Sequence, residues 1–267
     1  MDTDYTDDLK RIDAALHRAR EALEQFTPGA IASKAKAGGD PVTDADLLID
    51  EIMKDELLHD GEGWLSEETA DDTDRLRHSR VWVVDPVDGT REFVDGIPEW
   101  CVSIGLVVDG APVAGGILAP AADHLILGAV GHGVTLNGEP VSTTPKAAIE
   151  GALVLASRSE VKRGEWERFF KTPVSIRNMG SVAYKLGLVG AGLADATWTL
   201  VPKHEWDVAG GAAVVIAGGG EVRFLDGSQP VFNQPNPKLT GFLATNGRLM
   251  EAVQDLTAQQ KEPVPSE

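Results

Sequence analysis

The stretch "DPVDGTREF", Asp85 to Phe93, places two carboxylates three residues apart, with a proline, a glycine and a threonine around them. Such a set suits a cation held against a phosphate. Pro86 fixes φ and removes a donor, while Gly89 admits backbone conformations closed to other residues, so one turn can aim both carboxylates at one point. The amides of Gly89 and Thr90, if they begin a helical turn, can donate to a phosphate oxygen, and the Thr90 hydroxyl can orient a water. Taken alone, two aspartates in a turn equally describe a solvated, self-capping loop. Three further acidic sites weigh against that reading: Asp46 at a helix start, Glu67 and Glu68 at the end of "GWLSEE", and Asp207 in "HEWDVAG". Each lies where one element passes into another, and such junctions are where α/β proteins assemble their sites.

If these acids converge, each pair at ~4 Å repels by roughly 4 kcal/mol at an effective dielectric near 20, and divalent ions relieve that strain. All-oxygen donors favour Mg²⁺, with Mn²⁺ as a substitute, over zinc. The six histidines show no metal-ligand spacing, and the lone Cys101 provides neither a disulfide framework nor a thiolate cluster.

The elements that must position these residues are partly legible. Leu9, Ile12, Leu16, Ala19, Leu23 and Phe26 recur every three or four residues, which predicts a long first helix from Asp7 to Phe26. "TPGAIASKAKAGGDP" reads as a loop or short irregular strands, after which Thr43 is placed to cap a second helix. Asp44 and Asp46 then fall in its first turn, where carboxylates suit the helix dipole. Val81 to Val84 reads as a buried strand, and β-rich segments joined by "DGAP", "APAADH" and "LNGEPV" predict antiparallel hairpins. Beyond Thr143 the texture alternates: helices over Val161 to Phe170 and Tyr184 to Leu193, strands near Val174 and in "DATWTL", a small-residue helix in "EWDVAGGAAVVIAGGG", then strands in "EVRFL" and "GFLATN". This predicts an α+β lobe over residues 1–143 and an α/β lobe over 144–258 sharing an interface, followed by a disordered tail, 259–267.

Composition narrows the function. A chain of 267 residues with a formal net charge of −18 is a poor general nucleic-acid surface, and an anionic substrate must be met by local cations. No apolar run approaches the ~20 residues that span a bilayer, and the acidic N-terminus lacks the features of a signal peptide, so the cytoplasm is expected.

"DPVTDAD", "LSEE", "DPVDGTREF" and "EWDVAGG", in that order, resemble the four motif blocks of the inositol monophosphatase superfamily, the lithium-sensitive Mg²⁺-dependent phosphatases. The resemblance covers roughly residues 7 to 255 and implies a layered αβαβα fold of the α/β class, related to fructose-1,6-bisphosphatase. It implies that Glu68, Asp85 and the carbonyl of Val87 hold one metal, that Asp85, Asp88 and Asp207 hold a second, and that Glu67 supports a third through water. Asp46 and Thr90 would position and deprotonate the attacking water, and the Gly89 and Thr90 amides would hold the phosphate. Of Lys34 and Lys36, Lys36 is the choice for the lysine beside that phosphate. Inhibition by Li⁺ and a homodimeric state are carried over with the family.

Inositol monophosphatases carry an acid seven positions before the aspartate of the last block; here that position is Leu200, which cannot accept a hydroxyl proton. "ASRSE", "GSVAYKL" and Glu205 are instead similar to blocks of the CysQ-type 3'(2'),5'-bisphosphate nucleotidases, so Ser157, Arg158 and Lys185 would meet a second phosphate. The match is partial: relatives usually show "SRSH" and a double alanine after "EWD". The expectation is a phosphomonoesterase preferring adenosine 3',5'-bisphosphate, with inositol monophosphate or another sugar phosphate as the alternative. A non-catalytic metal- and phosphate-binding protein is the alternative of another class, although Asp46, Glu68, Asp85, Asp88, Thr90 and Asp207 are all present.

Overall fold

The computed structural model describes residues 4–35 and 41–258. Lys36 and the 259–267 tail lie outside the described residues. The N-terminal elements are α1 (Thr6–Leu23), the short pair β1 (Ser33–Ala35) and β2 (Pro41–Thr43), and α2 (Asp44–Leu57). Then come β3 (Gly63–Ser66), a 3₁₀ turn (Asp74–Arg77), β4 (Arg80–Asp88), α3 (Thr90–Val94), β5 (Cys101–Val108), β6 (Ala111–Ala119), β7 (His124–Ala129), β8 (Gly133–Leu136) and β9 (Glu139–Val141). The remainder comprises β10 (Leu153–Ser157), α4 (Arg158–Lys162), β11 (Ser175–Met179), α5 (Val182–Gly190), β12 (Ala196–Thr199), β13 (Lys203–His204), α6 (Glu205–Ala217), β14 (Glu221–Phe224), β15 (Lys238–Leu239), β16 (Phe242–Thr245) and α7 (Met250–Ala258).

β3 to β9 form a seven-stranded sheet in chain order, with β3 parallel to β4 and antiparallel pairing thereafter. Asp109-Gly110 and Asn137-Gly138 turn two of its hairpins with φ of 49°, 82°, 52° and 83°, the left-handed pairs that match strand twist. A five-stranded sheet runs β11-β10-β12-β16-β14, parallel among the first three strands and antiparallel beyond.

Three apolar cores separate these layers. Ile12 and Leu16 of α1 and Ile49 and Met53 of α2 pack on Trp82, Val84 and Leu106 at the outer face of the large sheet. The inner face meets α5 and α6, which also cover one face of the five-stranded sheet. Trp166, Phe169 and the α7 residues Met250 and Val253 bury the remaining face around Trp198. Each such side chain withdrawn from water contributes roughly 2 kcal/mol. The result is an αβαβα stack of the α/β class. Because α5 and α6 join both sheets through one core, residues 144–258 are continuous in packing with residues 1–143.

Beyond its first turn α6 is apolar on every side, and it lies very close to the large sheet. A Cβ on Gly105 would meet Gly210 N at 2.7 Å, and one on Gly115 would meet Gly210 O at 2.2 Å. Only facing glycines allow this approach, and it brings the first turn of α6 over the end of β4.

Several boundaries differ from those the periodicity predicts. The helix expected over Val161 to Phe170 is α4 followed by a separate 3₁₀ turn, Glu167–Lys171, with Gly164 at φ 82° between them. α5 begins at Val182 under a Ser181 cap and ends at Gly190, before Gly192 at φ 72°. α7 has no counterpart in the sequence reading.

Candidate metal centre and active site

The two aspartates of "DPVDG" reach one cavity through a β-bulge. On β4, Val81 and Val83 face the inner core while Trp82 and Val84 face the outer one. Strict alternation would set Asp85 and Asp88 on opposite faces. Asp85 pairs with Ser103 and Asp88 with Cys101, so three steps on β4 span two on β5. The extra residue reverses the phase: Val87 joins the outer core, and Asp88 turns inward with Asp85. Gly89 follows at φ 97° as the N-cap of α3, with Glu99 O only 3.1 Å from where a Cβ would sit.

Thr43 caps α2 as predicted. Asp46 Oδ2 accepts from the Thr43 amide at 2.8 Å and from its hydroxyl at 2.6 Å, while Oδ1 faces Thr90 Oγ1 at 3.2 Å. Asp46 is fully buried, and Thr90 stands between it and the cavity. Asp88 Oδ2 accepts from Ser181 Oγ at 2.6 Å and from the Ala183 amide, which ties the end of β4 to the start of α5. Asp207 Oδ2 accepts from the His204 amide at 2.9 Å.

Glu67, Asp85 and Asp207 each offer a carboxylate oxygen, and these atoms lie within 4.8 Å of one another. Burial first, then the charges of Glu67, Asp88, Asp207 and Asp46, push the Asp85 carboxyl well above the usual carboxylate range. Burial and then Asp88 raise Asp207 to about 7. At such separations each pair repels by roughly 3 to 4 kcal/mol at an effective dielectric near 20. Hard oxygen donors in mutual repulsion are the donor set a divalent hard cation requires, so the residues fit a metal.

Glu67 lines the cavity. Leu65 faces the inner core and Ser66 bonds Asp50 of α2 on the outer side, so the alternation of β3 turns Glu67, the next residue, inward. Ser157, Arg158 and Lys185 line the cavity, which encloses about 490 Å³. The Arg158 guanidinium donates to Glu99, and Lys185 Nζ donates to the carbonyls of Ser181 and Gly180, the latter at 3.4 Å. Burial lowers Lys185 to about 8. Two expected substrate residues sit elsewhere. Leu200 packs in the core around Trp198, because the chain leaves β12 on that side of the sheet. Glu205 is fully buried and accepts the amides of Asn233 and Gln234, since the first turn of α6 points it away from Asp207.

Lys203 and His204, the latter among the six histidines without metal-ligand spacing, also line the cavity; adjacency to "EWD" is the only signal that could have pointed to Lys203. His204 stacks on Trp206 with ring centroids 4.4 Å apart, so Trp206 both packs on the inner core and borders the cavity. A larger groove, about 690 Å³, runs between α1 and β7, but none of the converging acids Glu67, Asp85, Asp88 and Asp207 lines it. Chemistry rather than volume therefore selects the smaller cavity.

Comparison with known proteins agrees with this geometry. A family model described as the inositol monophosphatase family matches residues 6–262. "Inositol monophosphatase 2" of Solanum lycopersicum is 32% identical over 257 residues, covering 90% of this chain and 95% of its own. The solved inositol monophosphatase of Thermotoga maritima superposes with a TM-score of 0.83 at 26% identity, covering 95% and 98% of the two chains. CysQ of Bacteroides thetaiotaomicron superposes at 0.74, also with 26% identity, covering 91% and 98%.

Proposed function

This chain belongs to the inositol monophosphatase family and is a phosphoric monoester hydrolase acting on a small phosphate ester; from that premise we propose that it is a Mg²⁺-dependent 3'(2'),5'-bisphosphate nucleotidase, releasing the 3'-phosphate of adenosine 3',5'-bisphosphate. Glu68, Asp85, Asp88, Asp207 and the Val87 carbonyl would hold two divalent ions, with Glu67 supporting a third. Bound there, Mg²⁺ or Mn²⁺ supplies Lewis acidity to the phosphoryl oxygens and acidifies the attacking water. Thr90 Oγ1 orients that water and passes its proton to Asp46, 3.2 Å away. The amides of Gly89 and Thr90 hold the phosphoryl group. Ser181, through Asp88, fixes the rotation of one carboxylate.

The single observation that carries the substrate reading is the cationic wall of Arg158, Lys185 and Lys203 lining the same cavity as the acids. In a protein this acidic, a second phosphate needs such a wall, whereas a hydroxyl-rich sugar needs acceptors. The curated relatives named as inositol monophosphatases motivate the second reading, inositol 1-phosphate. Steady-state turnover on both substrates, titrated with Mg²⁺ and repeated with Li⁺, separates the two. Higher kcat/KM on the bisphosphate and inhibition by Li⁺ are expected; equal or greater activity on inositol 1-phosphate overturns the preference. Cytoplasmic residence and a homodimeric state belong to the same proposal. Among the described residues, no helix is long and apolar enough to cross a membrane.

A further inference from the structure

Glu205 opens α6 two residues before Asp207, yet it has no access to the cavity. Both its oxygens are spent on one loop: Oε2 accepts from Asn233 N at 2.7 Å and Oε1 from Gln234 N at 2.9 Å. Arg75, also fully buried, grips that loop from the opposite side. Its Nη1 donates to Asn233 Oδ1 at 2.7 Å and its Nη2 to Gln234 O at 2.9 Å, while Asn233 Nδ2 returns a bond to Arg75 O at 3.2 Å. Asp71 completes the guanidinium's partners, accepting from Nη2 at 2.8 Å.

The two ends of this network are the two halves of the acidic cage. Arg75 lies in the 3₁₀ turn packed behind β3, where a Cβ on Gly63 would meet Arg75 Cα and Cβ at 3.0 Å. β3 leads directly to Glu67. Glu205 is the first residue of the helix that carries Asp207. Glu67 and Asp207 approach each other closely although like charges drive them apart, so some uncharged or oppositely charged frame must hold their backbones.

We infer that Glu205 and Arg75 are positioning residues: through Asn233 and Gln234 they lock the first turn of α6 to the turn behind β3 and so set the Glu67-to-Asp207 separation that a divalent cation meets. This rests on the proposed reading of those acids as a metal cage. A preorganised frame spares the cation the work of drawing repelling carboxylates together, so loosening the frame lowers cation affinity before it touches chemistry at saturating cation.

Glu205→Gln is the sharpest test, because an amide supplies one acceptor and turns an NH₂ group towards the second backbone N–H. Asn233→Gly is the milder one. It removes the side chain that Arg75 holds while keeping the φ of 57° accessible. Mg²⁺ alone is titrated calorimetrically into wild type and both variants, and the half-saturating Mg²⁺ for turnover and the thermal midpoint are measured in parallel. About a tenfold loss of Mg²⁺ affinity is expected, with kcat at saturating Mg²⁺ little changed and a smaller rise in midpoint on adding Mg²⁺. Wild-type Mg²⁺ affinity in Asn233→Gly, with only a lowered midpoint, overturns the inference and leaves the metal reading intact. Absence of Mg²⁺ binding and Mg²⁺-dependent turnover in the wild type overturns both.

Discussion

Two groups of buried carboxylates in this protein are treated in opposite ways. At one end of the large sheet, burial raises the Glu62 carboxyl, but hydrogen bonds from Arg11, at 2.7 Å, and Trp82, at 2.9 Å, outweigh it and hold the group at about 2. Arg80 adds a contact at 3.3 Å and reaches Asp8 at 2.6 Å. At the other end, Asp85 is buried among Glu67, Asp88, Asp207 and Asp46, and every one of these pushes its carboxyl further up. The first cluster is neutralised by the chain's own arginines and serves the fold. The second keeps its mutual repulsion, which Lys203 eases at Asp207 and which, in the proposed reading, a bound divalent cation relieves. What distinguishes Asp85 from Glu62 is the sign of the charges around it.

The largest effect that would break this contrast comes from Asp88→Asn. Turnover should fall on the order of a thousandfold and Mg²⁺ binding should weaken, while folding in chelator is undiminished; unchanged turnover removes Asp88 from the site. Glu62→Gln should do the reverse, costing about 3 kcal/mol of stability by urea unfolding and leaving turnover per folded molecule as it was.

The pH responses should also run in opposite directions. Glu62, at about 2 when folded against an ordinary 4.5, contributes stability that is present above pH 4.5 and is lost as pH falls towards 2. Asp207, at about 7 against 3.8, contributes stability that is present below pH 3.8 and is lost as pH rises through 7. In chelator, Asp207→Asn should therefore be more stable than wild type at pH 7.5, with the gap closing as pH falls below 4. Urea midpoints across that range check it, and a gap that widens on acidification refutes it. The smallest effect sharpens the substrate side. Lys203→Ala should raise KM for adenosine 3',5'-bisphosphate about tenfold and leave KM for inositol 1-phosphate nearly unchanged.

Which parts of this were legible beforehand follows from the range of the interactions involved. Thr43, Asp46, Asp85 to Thr90 and Asp207 could be singled out because caps, turns and strand ends have local chemical requirements. Periodicity predicts helices, strands and two lobes, and the αβαβα layering is what the resemblance of the motif blocks implies. That Glu67 faces the cavity could not be read from "SEE", because strand phase depends on which face of β3 meets the core, and Leu65 shows that only after folding. Glu205 is picked out by the likeness of "EWD" to a family block and Leu200 by its spacing from Asp207; helix rotation and the exit from β12 send one into a polar network and the other into a core. Lys203 lacked any pattern of its own. α7, nine residues long, is held by its contacts around Trp198 more than by propensity, which short helices seldom satisfy alone.

By itself, the order of residues determined the chemistry on offer: oxygen donors at element junctions, a glycine that frees a turn, a capped aspartate beside a threonine. Those depend on neighbours a few positions away. Only the tertiary structure decided which of the acids meet, because convergence depends on a bulge that reverses the phase of β4, on facing glycines that admit α6 to the sheet, and on a buried arginine and glutamate more than a hundred residues apart. Such contacts are products of packing, and no local signal encodes them.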